Sequence, residues 1–444
     1  MRTAVRPERA AKKLSPTFLA LAFVLAANQA FAVGPNDATT TQGKQLLIYD
    51  YWTAGDGKQA IDTLFDMFRR QQPGLHVIEN QVAGEDGSNI LAAIVRKLQS
   101  RNPPDAFQAS GGSLLKDYAD AGYLDPVDDI WQASDMASRI SPIWIKTVKF
   151  GGHYWTVPLS AHRTNWLWYN KKIFDQLNLQ PPTDFASLLA AARAIKQAMP
   201  NVSPIALGTA EKVWSIYLFD MCSLLTGGPE LMEKVDTGVV DFATDPTFRQ
   251  AMQRYASLIP YLPPDSSTRT WDQAAALLKT GDAAMYWMGD WVIGYLLNVG
   301  MKPDVDFSGV PIPRDVWMGH MDSFPMPKGA PHPELARAWL TMLTTADAQK
   351  AFNMIKGSVA IVNDVPASAY PDTYGRLSAQ DLQTKQALVD GFHGGLMTAT
   401  FGGDLMNILV QFLSDSNVDN AISAIAAASA RDNLKQNSAW YWAQ

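Results

Sequence analysis

The groups with which this 444-residue chain could do acid–base, metal or nucleophilic chemistry are six histidines, 43 acids and a single cysteine. The histidines stand at 76, 153, 162, 320, 332 and 393, without the short spacings that metal ligands usually show. Cys222 has no CxxC partner. No Walker-type GxxxxGK(S/T), no strand-borne GxGxxG, no HExxH and no GxSxG occurs. Paired carboxylates for glycosidic bond cleavage need a separation of roughly 5–9.5 Å, which a sequence does not measure, so that chemistry stays open. Tryptophan stands out instead, with 14 copies. An indole ring is a large flat apolar surface with one polar edge, suited to lying against the C–H face of a sugar ring. Binding is favoured over catalysis.

The first residues set the compartment. Arg2, Arg6, Arg9, Lys12 and Lys13 outweigh Glu8, an apolar run covers residues 18–27, and Ala30-Phe31-Ala32 follows. A basic start, a short apolar core and a small-x-small site make a secretory signal peptide over residues 1–32, cut after Ala32. The apolar run is too short for a permanent membrane helix. No cysteine lies near the cut, so a lipid anchor there is excluded, and the expected location is the periplasm. Residues 33–43 read as a disordered leader. Removing residues 1–32 takes away five bases and one acid, which moves the formal charge from −6 to −10. An acidic surface repels phosphate backbones, so nucleic acid is not an expected partner. With one cysteine no intramolecular disulfide forms. The remaining 412 residues must hold together by core burial, and they suffice for two domains.

The elements that must position these residues alternate. Gln45–Trp52 reads as a doubly buried strand. Ile61, Leu64, Phe65 and Phe68 form one helical stripe, residues 75–78 a second strand, Ile90, Ile94, Val95 and Leu98 a second helix, and residues 105–109 a third strand. That order makes a parallel sheet covered by helices. It recurs further on. Strands fall at 154–158, 166–169, 204–207 and 283–288. Helices fall at 213–225 (ending at Gly227-Gly228), 246–259 and 271–279, and another is capped by Asp184. Residues 289–291 read as a turn into a cleft. Two α/β lobes without a flexible linker imply several crossings, with ligand in the crevice at the strands' carboxyl ends.

Three segments in order carry a family resemblance. The first is Gly152-His-Tyr-Trp-Thr-Val-Pro158 with residues 167–174 and 181–185. The second is Lys279-Thr-Gly-Asp-Ala-Ala-Met285 with Gly289-Asp-Trp291. The third is Pro327-Lys-Gly-Ala-Pro-His-Pro-Glu334 with Ala338-Trp-Leu340 and Ala346-Asp-Ala-Gln349. Together they resemble family 1 extracellular solute-binding proteins. The resemblance implies the type II two-lobed periplasmic binding protein fold, with crossover hinge segments joining the lobes. One lobe is then expected from 44–160 plus about 310–356, the other from 161–309 plus about 357–444. It also implies a monomer without a cofactor or catalytic residues. Its partners would be a small carbohydrate and the membrane permease subunits of an ABC transporter.

Within the family the chain is most similar to the glucose- and mannose-binding branch. The matching residues are Tyr51-Trp52, Ala54-Gly-Asp56, Pro103–Gln108, His162-Arg163, Trp271, Met288–Trp291, Asp322-Ser-Phe324, Lys356-Gly-Ser358 and Phe392-His393-Gly394. The resemblance implies aromatic faces from Trp52, Trp271 and Trp291. It further implies a hydroxyl-gripping set of Asp56, Gln108, Asp322, Lys356 and His393, with Tyr51 and His162 beside it. Planar, charged partners suit a rim of hydroxyls because charge-assisted hydrogen bonds are the strong ones. Three positions depart from the branch: Tyr51 where a tryptophan is usual, Ser110 where close members carry histidine, and Gly57 where some carry glutamate. These leave the sugar open: a glucose-like aldose, a disaccharide, a polyol or a sugar acid. An exported glycoside hydrolase or lyase, and a sensor subunit on the same fold, remain alternatives from other classes.

Overall fold

The computed structural model describes residues 44–53, 55–82 and 88–443; the signal-peptide and leader expectations lie outside them. Strand β1 (Gln45–Asp50) runs parallel to β2 (His76–Gln81), with Gln45 opposite His76, and to β3 (Ala106–Phe107). Helices α1 (Gly55–Gln71) and α2 (Ser88–Gln99) make the connections. The stripe on α1 buries Ile61, Leu64, Phe65 and Phe68, each at most 1% exposed. This first sheet is all parallel, in the order β2-β1-β3.

The chain then crosses on β4 (Thr156–Arg163), buried along its whole length, and enters β5 (Trp166–Asn170). Next come α3 (Phe185–Ala198), β6 (Ser203–Ala206), α4 (Trp214–Asp236), α5 (Pro246–Leu258), α6 (Trp271–Thr280), β7 (Ala283–Trp287), α7 (Trp291–Asn298) and β8 (Phe307–Pro311). The second sheet has the order β8-β5-β7-β6, and β5 runs antiparallel to both neighbours. The all-parallel repeat that the alternation suggests is therefore broken here. The reason is that β5 arrives from the crossover pointing the opposite way to strands fed by their own helices.

Two further differences concern helices. Gly228 (φ 67°, ψ −167°) breaks α4 as expected, but Pro229 restarts it at once and it runs on to Asp236. A proline is well placed there, because the first helical residue's N–H has no intrahelical partner. Residues after Asp290 do not merely turn; they form α7.

The two bodies are joined by a third sheet. Strand β9 (Val316–Pro327) runs antiparallel to β4, with His320 opposite His162 and a bulge between Asp322 and Ser323. After α8 (Ala346–Lys356), β10 (Val359–Ala360) adds to the free side of β4 and β11 (Gln386–Val389) runs parallel to β9. Two long strands and their short neighbours thus form a stiff ladder from which both bodies hang. No helix among the described residues is long and apolar enough to cross a membrane.

Candidate functional site

A cavity of about 710 Å³, part of it open to solvent, lies where the three sheets meet. Tyr51 and Trp52 follow the carboxyl end of β1, and Trp291 follows that of β7 by four residues. Trp52 is held from both sides. Its backbone N–H donates to Asp50 Oδ1 at 3.0 Å, and its ring packs 4.8 Å from Phe352 and 6.2 Å from Phe324. Gly57 lies under this ring, and a Cβ there would come within 2.8 Å of it. The same logic seats Trp291: a Cβ on Gly289 would meet the indole at 2.2 Å. Each of the helices α4, α6 and α7 opens with a tryptophan: 214, 271 and 291. All three line the cavity.

The opposite wall is polar and centred on Asp322. Its Oδ1 accepts from Gln108 Nε2 at 2.9 Å and from Tyr51 Oη at 3.3 Å; its Oδ2 accepts from Ser160 Oγ at 3.1 Å and His162 Nε2 at 3.0 Å. His162 Nδ1 donates to Asp290 Oδ1 at 2.7 Å, and Asp290 Oδ2 accepts from the Arg163 backbone N–H at 2.8 Å. Burial works against charge on His162, yet Asp290 and Asp322 together raise its pKa to about 9, so it is an imidazolium at neutral pH. Burial likewise pushes Asp322 up. Hydrogen bonding and charge from His162, the charge of His320 and the Gln108 hydrogen bond outweigh it and hold the carboxyl well below the usual range. Asp322 is therefore a fixed buried acceptor.

Nine of the ten sequence-derived residues line the cavity: Tyr51, Trp52, Asp56, His162, Trp271, Trp291, Asp322, Lys356 and His393. Gln108 does not; it stands behind Asp322 and bonds it. Asp56 Oδ1 accepts from the Gly57 N–H, while Oδ2 is buried against α7 with no hydrogen-bond partner among the described residues. Lys356, in the last turn of α8, has no ion-pair or hydrogen-bond partner among the described residues.

Thr53, Trp214 and His320 were not singled out by sequence, yet they line the cavity. His320 stands two residues before Asp322 on β9, so both side chains leave the same face of the strand. That spacing was a usable signal. Trp214 shared its own signal, a tryptophan at a helix start, with Trp271 and Trp291. The rings of His162, His320, His393 and Trp214 form a near-parallel row, with successive centroids 5.3, 5.1 and 5.7 Å apart and planes within 31°. A cavity with ring faces on one side and fixed donors and acceptors on the other can hold a polar ring-shaped molecule in one orientation.

Comparisons with known proteins agree with this architecture. The family model for bacterial extracellular solute-binding proteins matches residues 52–350. An uncharacterized ABC transporter extracellular-binding protein of Pyrococcus horikoshii is 34% identical over 398 residues, 89% of each chain. A probable sugar-binding periplasmic protein of Brucella suis is 27% identical over 421 residues, covering 92% of this chain and 98% of its own. Among solved structures, the bacterial solute receptor AcbH, described as preferring β-D-galactopyranose, superposes with a TM-score of 0.77 at 19% identity, over 88% of this chain and 99% of its own. The shared fold is the two-lobed one with crossover hinge strands, and the family's members bind solutes rather than transform them. With its three larger sheets, its cleft at the strand ends and a family match over residues 52–350, the chain belongs to the bacterial extracellular solute-binding proteins.

Proposed function

We propose that this protein captures a monosaccharide, a glucose-like aldose first, in the cavity and delivers it to the permease subunits of an ABC importer. The observation that carries the reading is the pairing of walls. Trp52, Trp214, Trp271 and Trp291 present aromatic surface, and Asp322 faces them as a buried, ionised acceptor. A pyranose has two apolar faces and a rim of hydroxyls, so it meets both demands at once. The Asp56 carboxylate and the Lys356 ammonium, both lining the cavity, add an acceptor and a donor.

The same proposal includes the compartment and the moving parts. Export to the periplasm with cleavage after Ala32 is supported by the leader sequence, the lack of a nucleic-acid partner by the acidic charge, and function as a monomer by the family resemblance. The lobe limits, 44–160 with about 310–356 against 161–309 with about 357–444, are supported by β1–β3 falling in the first and β5–β8 almost wholly in the second. Closure would bend β4 and β9, and ligand shifts the open–closed balance only by its preference for the closed form.

Thermal unfolding of the chain against monosaccharides, disaccharides, polyols, sugar acids and amino acids tests it. A ligand at a hundred times its Kd adds roughly 2.7 kcal/mol. A raised midpoint with an aldose, lost in Trp291→Ala, supports the reading. A shift with amino acids and none with any carbohydrate would sink it.

A further inference from the structure

His320, Asp390 and His393 come together at one end of the cavity. His320 lies on β9 and Asp390 directly follows β11, which pairs with β9 so that the Asp390 N–H donates to the Gly319 carbonyl at 2.9 Å. His393 follows three residues later, in a turn where the Gly394 N–H donates to Asp390 Oδ1. One nitrogen of each histidine and a carboxylate oxygen of Asp390 lie within 4.8 Å of one another. His320 and Asp390 are buried, and His393 is partly open to the cavity. His320 Nδ1 sits 2.9 Å from Asp390 Oδ2, and Tyr217 Oη sits 3.1 Å from His393 Nδ1, where it fixes the ring's orientation.

A second observation bears on the same place. The two arms of α4 fold back at Gly228, eight residues from Asp220 on one side and from Asp236 on the other. Asp220 Oδ1, both Asp236 carboxylate oxygens and Ser223 Oγ are buried with no hydrogen-bond partner among the described residues. Asp236 lies against the Asp390 turn, since a Cβ on Gly391 would come within 2.5 Å of its Oδ1. The charge of Asp390 bears on both Asp220 and Asp236. Unsatisfied buried polar atoms of this kind mark a place that water or an ion completes.

We infer that His320, Asp390 and His393 bind one divalent transition-metal ion at the wall of the cavity. Two imidazoles and one carboxylate with positions open to a cavity are a donor set for borderline ions such as Zn²⁺, Co²⁺ or Ni²⁺, not for Ca²⁺ or Mg²⁺. The ion takes the place of the proton now shared between His320 Nδ1 and Asp390 Oδ2. Bonds of about 2.0–2.2 Å then draw the three side chains slightly inward. The unpartnered carboxyls of Asp220 and Asp236 lie behind Asp390 and leave room for polar rearrangement there; the His162 cation, stacked 5.3 Å from His320 and already paired with two carboxylates, opposes the ion. Because His393 and His320 also face the cavity, the bound ion and a sugar hydroxyl compete for the same nitrogens.

The test is equilibrium dialysis and calorimetry of the tag-free, chelator-treated chain with ZnCl₂, and visible absorption with CoCl₂. One ion per chain is expected at micromolar Kd or tighter, with a Co²⁺ d–d band from the bound ion. His320→Gln, Asp390→Asn and His393→Gln should each weaken binding at least tenfold and remove the band. Tyr217→Phe should weaken it by roughly tenfold, as outer partners of ligands do. Unfolding midpoints check that each variant is folded, and His393→Gln, the least buried, is the safest. His153→Gln, an exposed pair with Asp128, should change nothing. No saturable binding below millimolar, or binding and band unchanged in folded Asp390→Asn and His393→Gln, would overturn the site. The ion is its own probe, so a chain that binds Zn²⁺ but no sugar would sink only the sugar reading.

Discussion

Two groups of buried carboxylates, one in the cavity wall and one behind the Asp390 turn, behave in opposite ways. Asp322 is 2% exposed and accepts four hydrogen bonds, one from a histidine cation, so it stays ionised far below the usual range. Asp236 is fully buried and accepts none among the described residues, and burial with the charges of Asp220 and Asp390 drives its pKa far up. Burial is common to both, so burial does not decide the charge. Partners do. The first group is a fixed, ionised acceptor in the cavity wall; the second holds buried polarity without hydrogen-bond partners among the described residues.

The comparison is broken most directly at Asp322. Asp322→Ala removes the acceptor and strands His162, Gln108, Ser160 and Tyr51 around an uncompensated site. Breaking a buried pair costs about 3–5 kcal/mol, so sugar affinity should fall by more than a hundredfold in calorimetry with whichever sugar gives the largest thermal shift. A change under tenfold would mean that Asp322 does not face the ligand. On the aromatic wall, Trp291→Ala and Trp214→Ala should each weaken binding roughly ten- to a hundredfold, about 1.4–2.7 kcal/mol. If Trp214→Ala binds normally, that ring only supports His393.

A smaller effect separates charge from shape. His162 titrates higher in the folded chain than in the unfolded one. Its stabilisation is therefore complete below about pH 6.5 and lost as pH rises through about 9. Wild-type unfolding midpoints should exceed those of His162→Gln at pH 7, and the gap should close by about pH 10. A constant gap would show that only packing is involved.

The smallest expected effect lies in the second group. The raised pKa of Asp236 costs nothing below about pH 3.9, where both states are protonated, and costs more as pH rises above it. Metal-free Asp236→Asn should therefore unfold as wild type does at pH 3.5. At pH 8 it should be more stable by about 1 kcal/mol. Equal destabilisation at both pH values would remove the contrast with Asp322.

Much of this was legible beforehand, for local reasons. The α1 stripe, the Asp184 cap with its Oδ1 accepting from the Ser187 N–H at 2.8 Å, and the Gly228 break depend on periodicity and single-residue backbone preference, which a sequence displays. Trp52, Asp322, Lys356 and His393 were found through motif resemblance, and the fold brings all four to one cavity. His320 and Trp214 were passed over because neither sits in a quoted motif, although the two-residue spacing from Asp322 and the helix-start position marked them locally.

Composition, hydrophobic period and motif order thus determined by themselves the α/β class, the two-lobed family and the aromatic character of the site. These are properties of short segments, and short segments carry their own physical signals. Only the tertiary structure decided that Gln108 would stand behind Asp322 rather than in the cavity, and that His162 would carry a charge. It alone brought Asp220 and Asp236 together across Gly228 and set the Asp390–His393 turn beside His320, seventy residues earlier in the chain. Those outcomes depend on distance and desolvation between groups remote in sequence, and neither quantity exists until the chain has folded.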